Sequence, residues 1–397
     1  MTPWVNRLLP GIVALLVVGE PVGLASPSPR NTAGTRSQGV ARKRPVASPG
    51  GRSAKPGTRP SPRRSPSSVV TISDDPSQPL EAVWTRHLDQ WFRQVRPAAG
   101  AFVALDPETG EVIALSDWSG RGPGKPRPAV RVDFPAASVF KIVTSAALIR
   151  SGKVSSSTSV CYHGGSSRLD PDHLTDSRRD RSCRTLRGAF AHSTNAVFGK
   201  LAVRHLAPRD LLEMAETLGF NQVLRVGGLE TRPTASLPAG GLDLARMAAG
   251  FVRSNLSPLA GAVMAAVIAS GGRWPSGVLR NGRPVEDRQV LPEDLCRELR
   301  GMMKATSSEG TGARFFAGLA AQPGGGAVAV KSGTLTSRDG SGLFDTWMVG
   351  FFPADRPRMA FAALMATQGP GPLRAGHLAR FALQTWVTLQ RLRRPES

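Results

Sequence analysis

Ser138 and Lys141 stand three residues apart in Phe134-Pro135-Ala136-Ala137-Ser138-Val139-Phe140-Lys141-Ile142-Val143-Thr144-Ser145-Ala146-Ala147-Leu148-Ile149. This run is apolar almost all round, so it reads as a buried helix. Pro135 suits its entry and Gly152 its end. The three-residue spacing puts hydroxyl and amine on one helix face. Burial disfavours the lysine cation and makes the neutral amine accessible, and a neutral amine beside a hydroxyl is a base beside a nucleophile. The helix start adds backbone N–H groups and a positive dipole end, which favour an oxyanion formed there.

Two further patterns could serve the same chemistry. Ser193-Thr194-Asn195 lies at the junction of two helical pieces, Leu186 to His192 and Ala196 to Leu206. Alone, it reads equally as a helix cap. Lys331-Ser332-Gly333-Thr334 ends a strand, Ala327 to Val330. Glycine at a strand edge lets another backbone come close, and a cation with two hydroxyls suits a carboxylate. Each pattern is unspecific by itself; their order and the elements that carry them give the set its weight.

The elements that must position them follow from periodicity. Glu81 to Val95 has the spacing of an amphipathic helix. Ala101 to Leu105 and Val112 to Leu115 flank a Pro/Gly turn and predict a hairpin. Pro208 to Leu218 predicts a helix, Leu242 to Gly271 a long helical stretch broken near Ser257-Pro258, and Glu293 to Lys304 another helix. Strands are expected at Thr346 to Phe352 and Met359 to Met365, then a closing helix from Gly376 to Leu392. Strands at both ends with helices between them imply an α/β (α+β) layer whose terminal segments share one antiparallel sheet.

Composition sets the surroundings. The 397 residues carry a formal net charge of +22. Residues 1–25, with Arg7, the apolar run Leu8 to Gly19 and a small-residue exit, read as a secretory signal peptide or a retained N-terminal anchor. Residues 26–78 read as a disordered, basic Pro/Ser/Gly-rich linker, and residues 79–395 as the folded domain. Ten Arg and Lys and no acid lie between Ser26 and Ser68. That segment is either a solvated tether or a contact to anionic membrane or cell-wall polymer, at about 1 kcal/mol per basic residue near a charged surface. No nucleic acid is expected as a partner of an exported chain. Cys161 and Cys183 fall in a polar stretch, residues 155–184, with His163 and His173 between them. A disulfide, free thiols and a zinc site all remain open there. Cys296 reads as a small core residue, and the remaining histidines (His87, His192, His205, His377) as surface or core residues.

Ser138-Val139-Phe140-Lys141, Ser193-Thr194-Asn195 and Lys331-Ser332-Gly333-Thr334 together resemble the three motifs of penicillin-binding transpeptidases and serine β-lactamases. Ala104-Leu105-Asp106-Pro107-Glu108-Thr109-Gly110-Glu111, Phe134-Pro135-Ala136-Ala137-Ser138, Glu309-Gly310-Thr311-Gly312 and Trp347-Met348-Val349-Gly350-Phe351 resemble landmarks of the penicillin-binding protein branch. The likeness spans about residues 98–390. It implies a five-stranded antiparallel sheet flanked by helices, an all-helical subdomain, and a site at their boundary. It further implies that Ser138 attacks the penultimate D-Ala carbonyl of a peptidoglycan stem peptide, that Lys141 takes its proton and that Ser193 relays a proton to the leaving amine. Asn195 would hold the substrate amide, Lys331, Ser332 and Thr334 the terminal carboxylate, and the N–H groups of Ser138 and Thr334 the oxyanion. Gly333 would complete the substrate-binding strand. Stem peptides are the implied substrates and β-lactams the covalent inhibitors, with no metal or cofactor.

Departures from the wider pattern guide the choice within the superfamily. Thr194 stands where class A β-lactamases carry Asp, and no Glu-x-x-x-Asn motif follows. Glu230 falls in the right interval but resembles the Pro-Gly-Glu landmark of penicillin-binding proteins. Ser332 replaces the Thr of many transpeptidases and also supplies a hydroxyl. With only linker and a short ordered stretch upstream, the expectation is a free-standing transpeptidase domain. The competing expectations are a serine β-lactamase and a non-catalytic sensor of β-lactams or peptidoglycan.

Overall fold

The computed structural model describes residues 13–15, 70–120, 127–337 and 340–393. Most of the signal and linker segments therefore lies outside the described residues. Val13–Leu15 pairs antiparallel with Val70–Ile72. Strand and turn thus occupy residues 70–78, where the sequence reading had linker: Ile72 is buried, and Asp74 accepts from Arg393.

The central sheet is antiparallel and five-stranded. Its members are β1 (Ala99–Leu105), β2 (Val112–Ser119), β3 (Ala329–Thr336), β4 (Leu343–Phe352) and β5 (Met359–Gln368), in the order β3-β4-β5-β1-β2. The β1–β2 turn is held by Asp106, whose carboxylate accepts the backbone N–H groups of Glu108 and Thr109 at 3.0 and 2.8 Å, a side-chain turn that Asp makes readily.

Helices cover both sheet faces, so β1 and β5 are apolar throughout their cores rather than alternating. On one face lie α1 (Leu80–Val95) and α7 (Ala375–Arg393). Trp84 joins them: its ring lies tilted against Trp386 at 4.7 Å between centroids and its indole N–H donates to Ala382 O at 2.9 Å. On the other face lies α5 (Pro258–Ala269), in which every residue is buried. α6 (Glu293–Ser308) packs on β3, and α2 (Lys141–Arg150) and α3 (Leu186–Ala191) pack on α6 and on α4 (Asn195–His205).

Several boundaries differ from the sequence reading. Phe134-Pro135 does not enter a helix; it pairs with Ser254–Leu256, an edge position where proline's missing N–H costs nothing. A 3₁₀ turn, Ala137–Phe140, then leads into α2. The stretch 242–271 holds two helices, Gly241–Ala248 and α5, separated by that strand. Ser257 caps α5 by accepting from Ala260 N–H at 3.1 Å, and Pro258 takes the first helical position. Residues 331–334 lie within β3, not past its end. Within residues 155–184, Ser159–Tyr162 and Ser182–Thr185 form a hairpin.

Candidate active site

Ser138 sits in the 3₁₀ turn immediately before α2, and the residue preceding it, Ala137, adopts φ 49°. A left-handed alanine persists only where its surroundings over-determine it. Gly250 supplies part of that constraint: a Cβ there would lie 1.9 Å from Ala137 O. Ser193 is also left-handed, at φ 59°, between α3 and α4. Gly333 lets the edge strand β3 pack on the Ala137–Phe140 turn, since a Cβ would meet Val139 Cγ2 at 3.1 Å.

These constraints bring the three motifs into one cleft of about 800 Å³. Lys141 Nζ lies 2.9 Å from Ser138 Oγ, 3.2 Å from Ser193 Oγ and 2.6 Å from Asn195 Oδ1. Lys331 Nζ lies 3.2 Å from Ser193 Oγ and donates to Ser332 O at 2.9 Å. Both lysines are fully buried. Burial, and then the charge of Lys331, holds the Lys141 amine well below the usual lysine range. Burial brings Lys331 down to about 7. Phe198 lies under Lys141 and Phe190 under Lys331, each 5.4 Å from ring centroid to amine.

Asn195 lies beside the amine. Its Oδ1 accepts from Lys141 while its Nδ2 donates to Ser166 O at 2.6 Å, so it orients the amine. Thr311, which the sequence reading left without a role, bonds Ser332 through the two hydroxyls at 2.6 Å. Its N–H donates to Ala191 O at 3.0 Å, fixing α3 against β3. The Glu309-Gly310-Thr311-Gly312 landmark was the available signal. Arg314 and Arg374 also line the cleft and carried no sequence signal.

Cys161 and Cys183 face each other in the hairpin register and form a disulfide. That removes both thiols from any zinc site. His163 and His173 do come together with Asp172, one donor atom each within 4.8 Å. His163 Nδ1 is engaged with Asp180 at 2.6 Å, and Asp172 accepts from Arg179 at 2.7 Å. Cys296 is buried, its thiol pushed up to about 12, as a core cysteine should be.

A hydroxyl in contact with a depressed amine, beside a lysine-bearing edge strand, is the arrangement that a serine nucleophile with a lysine base requires. The penicillin-binding protein transpeptidase domain model matches residues 100–380, and the chain belongs to that family. It is 26% identical over 306 residues to the peptidoglycan D,D-transpeptidase PbpA of Mycobacterium tuberculosis, covering 68% of this chain and 62% of that protein. The chain thus spans about three fifths of that relative's length. The transpeptidase domain of Burkholderia pseudomallei penicillin-binding protein 3 superposes with a TM-score of 0.61 at 22% identity, covering 80% of this chain and 94% of that one. Penicillin-binding protein 3 of M. tuberculosis, solved with aztreonam, gives 0.61 at 22% identity, covering 80% and 78%. The expected fold, a five-stranded antiparallel sheet flanked by helices, is the observed one.

Proposed function

We propose that this chain is an exported serine acyltransferase acting on peptidoglycan stem peptides that end in D-Ala-D-Ala, as a D,D-transpeptidase or D,D-carboxypeptidase. The observation that carries this reading is the 2.9 Å contact between the buried Lys141 amine and Ser138 Oγ. The M. tuberculosis relative's name supports the reaction class.

In this reading neutral Lys141 takes the Ser138 proton as Oγ attacks the penultimate D-Ala carbonyl. The N–H groups of Ser138 and Thr334 receive the oxyanion. Collapse of the tetrahedral intermediate breaks the peptide bond, and the proton passes from Lys141 by way of Ser193 to the departing D-Ala amine. The ester on Ser138 then goes to an amine of a neighbouring stem or to water, which restores the hydroxyl. Lys331, Ser332 and Thr334 hold the terminal carboxylate, and Asn195 turns from Lys141 to the substrate amide.

Penicillin enters by the same steps, and its acyl-enzyme should persist. Among the described residues no Asp or Glu lines the cleft, and Glu230 is spent in an exposed ion pair with Arg225 at 2.7 Å. This favours a transpeptidase over a class A β-lactamase, whose deacylation uses a water-activating glutamate. The aztreonam complex of the M. tuberculosis neighbour supports β-lactams as ligands. Among the described residues no helix is long and apolar enough to cross a membrane; export rests on residues 1–25, and contact with anionic surfaces on the basic segment after them.

The test is to incubate the protein with a D-Ala-D-Ala peptide and an amine acceptor and to weigh the products. Loss of one D-Ala with acceptor joined means transpeptidation, and loss with water added means carboxypeptidation. Unchanged peptide, together with a Ser138→Ala variant that keeps every cellular phenotype, would leave a sensor or scaffold instead.

A further inference from the structure

The cleft holds two cations that the proposed chemistry does not use. Arg374 lies between β5 and α7, with its guanidinium 5.6 Å from the Phe344 ring. Arg314, just after Thr311, lies 4.6 Å from the Phe315 ring. Thr346 Oγ1 accepts the Ala375 N–H at 2.9 Å and so ties the Arg374 loop to β4. In the β3–β4 register Thr346 faces Thr334, and Phe344 faces Thr336. The loop is thus anchored level with Thr334, while the Arg374 guanidinium lies by Phe344, level with Thr336 and further along the strand from Lys331 and Ser332.

The two arginines oppose each other electrostatically. Partial burial, and then the charge of Arg314, lowers the Arg374 pKa. His377 beside them is pushed down to about 4, by burial first and by Arg314 next, so it adds no charge near neutrality. Among the described residues no carboxylate lies within ion-pair distance of either arginine. Arg127, Arg131, Arg204, Arg253 and Arg393 each have one. Guanidinium groups on aromatic rings, with no internal counter-ion, match a planar carboxylate in a two-point geometry.

We propose that Arg374 and Arg314 form a second anion subsite, which takes a carboxylate of the stem peptide other than its C-terminal one. The stem peptide as ligand rests on the reading above; the anion preference does not.

The test uses Ser138→Ala protein, which binds without acylation, and two peptides ending in D-Ala-D-Ala. They differ only in whether the preceding residue carries a side-chain carboxylate or its amide. Titration calorimetry should show the acid bound about tenfold more tightly, as for one charge-assisted pair. Adding Arg374→Gln, or Arg314→Gln as a second variant, should collapse that ratio towards one. A third peptide, amidated at its C-terminus, should lose affinity by the same factor with and without the arginine substitutions. A ratio unchanged by both substitutions overturns the subsite, as does its absence from the Ser138→Ala parent. Loss of C-terminal dependence in the arginine variants would assign the pair to the terminal carboxylate and also overturn it. Failure of the wild-type protein to acylate on Ser138 would sink the acyltransferase reading while leaving these binding ratios decisive.

Discussion

Lys141 and Lys331 approach one hydroxyl, that of Ser193, at 3.2 Å each. Two ammonium groups cannot both donate to one buried oxygen without strong repulsion, and no carboxylate among the described cleft residues offsets them. One amine must be neutral, and Lys141 is the one held down both by burial and by the charge of its neighbour Lys331. Lys331 can then donate to Ser193, whose own proton points to Lys141 or onward to a leaving group. That position between two amines is what the proposed relay role of Ser193 needs.

The same burial sets a pH dependence of stability. Lys331 titrates at about 7 when folded and near 10.5 otherwise. Between those values the unfolded chain holds a proton that the folded chain lacks, so raising pH favours the folded state. Lys141 acts in the same direction. Urea midpoints should therefore rise from pH 7 towards 10 by a margin that shrinks in Lys331→Met. Parallel curves for the two proteins would refute the lowering of the Lys331 amine by burial.

Gly250→Ala tests the support beneath the nucleophile. The added methyl would meet Ala137 O at 1.9 Å, and the backbone there has φ 85°. Displacing Ser138 by an ångström should lower acylation by a fluorescent penicillin about 10²-fold. Unaltered labelling kinetics would show that the turn does not depend on Gly250.

The Cys161–Cys183 disulfide spans 22 residues and clamps the hairpin that carries Asp180 towards buried Lys200. Loop-closure entropy predicts a loss of about 3 kcal/mol on replacing both cysteines with serine. Chemical denaturation with and without reductant measures it. A midpoint insensitive to both treatments would mean that the hairpin is held by Lys200 and its carboxylates alone.

The apolar strands and the three motifs were legible in the sequence because burial on both sheet faces forces long apolar runs, and because chemistry needs particular side chains. Local conformation around the motifs was not. Pro135 suits a helix entry and a strand edge equally, and only pairing with Asn255 decides. The 242–271 run looked helical because Ala-rich sequence fits both of its helices; Gly250 and Arg253, at positive φ, break it. Arg314 and Arg374 are far apart in the chain, so only the fold reveals that they share a cleft with Ser138.

Lys141 as the base for Ser138 is tested most directly by the second-order rate of penicillin acylation, read by intact mass, in wild-type and Lys141→Met proteins. Methionine keeps the length and apolar packing of the buried stem while removing the amine. The wild-type protein should gain one stable adduct, located on Ser138. The variant, folded by circular dichroism, should react about 10²- to 10⁴-fold more slowly, the usual worth of a positioned base. Equal rates in the two proteins, or an adduct on another residue, would contradict it.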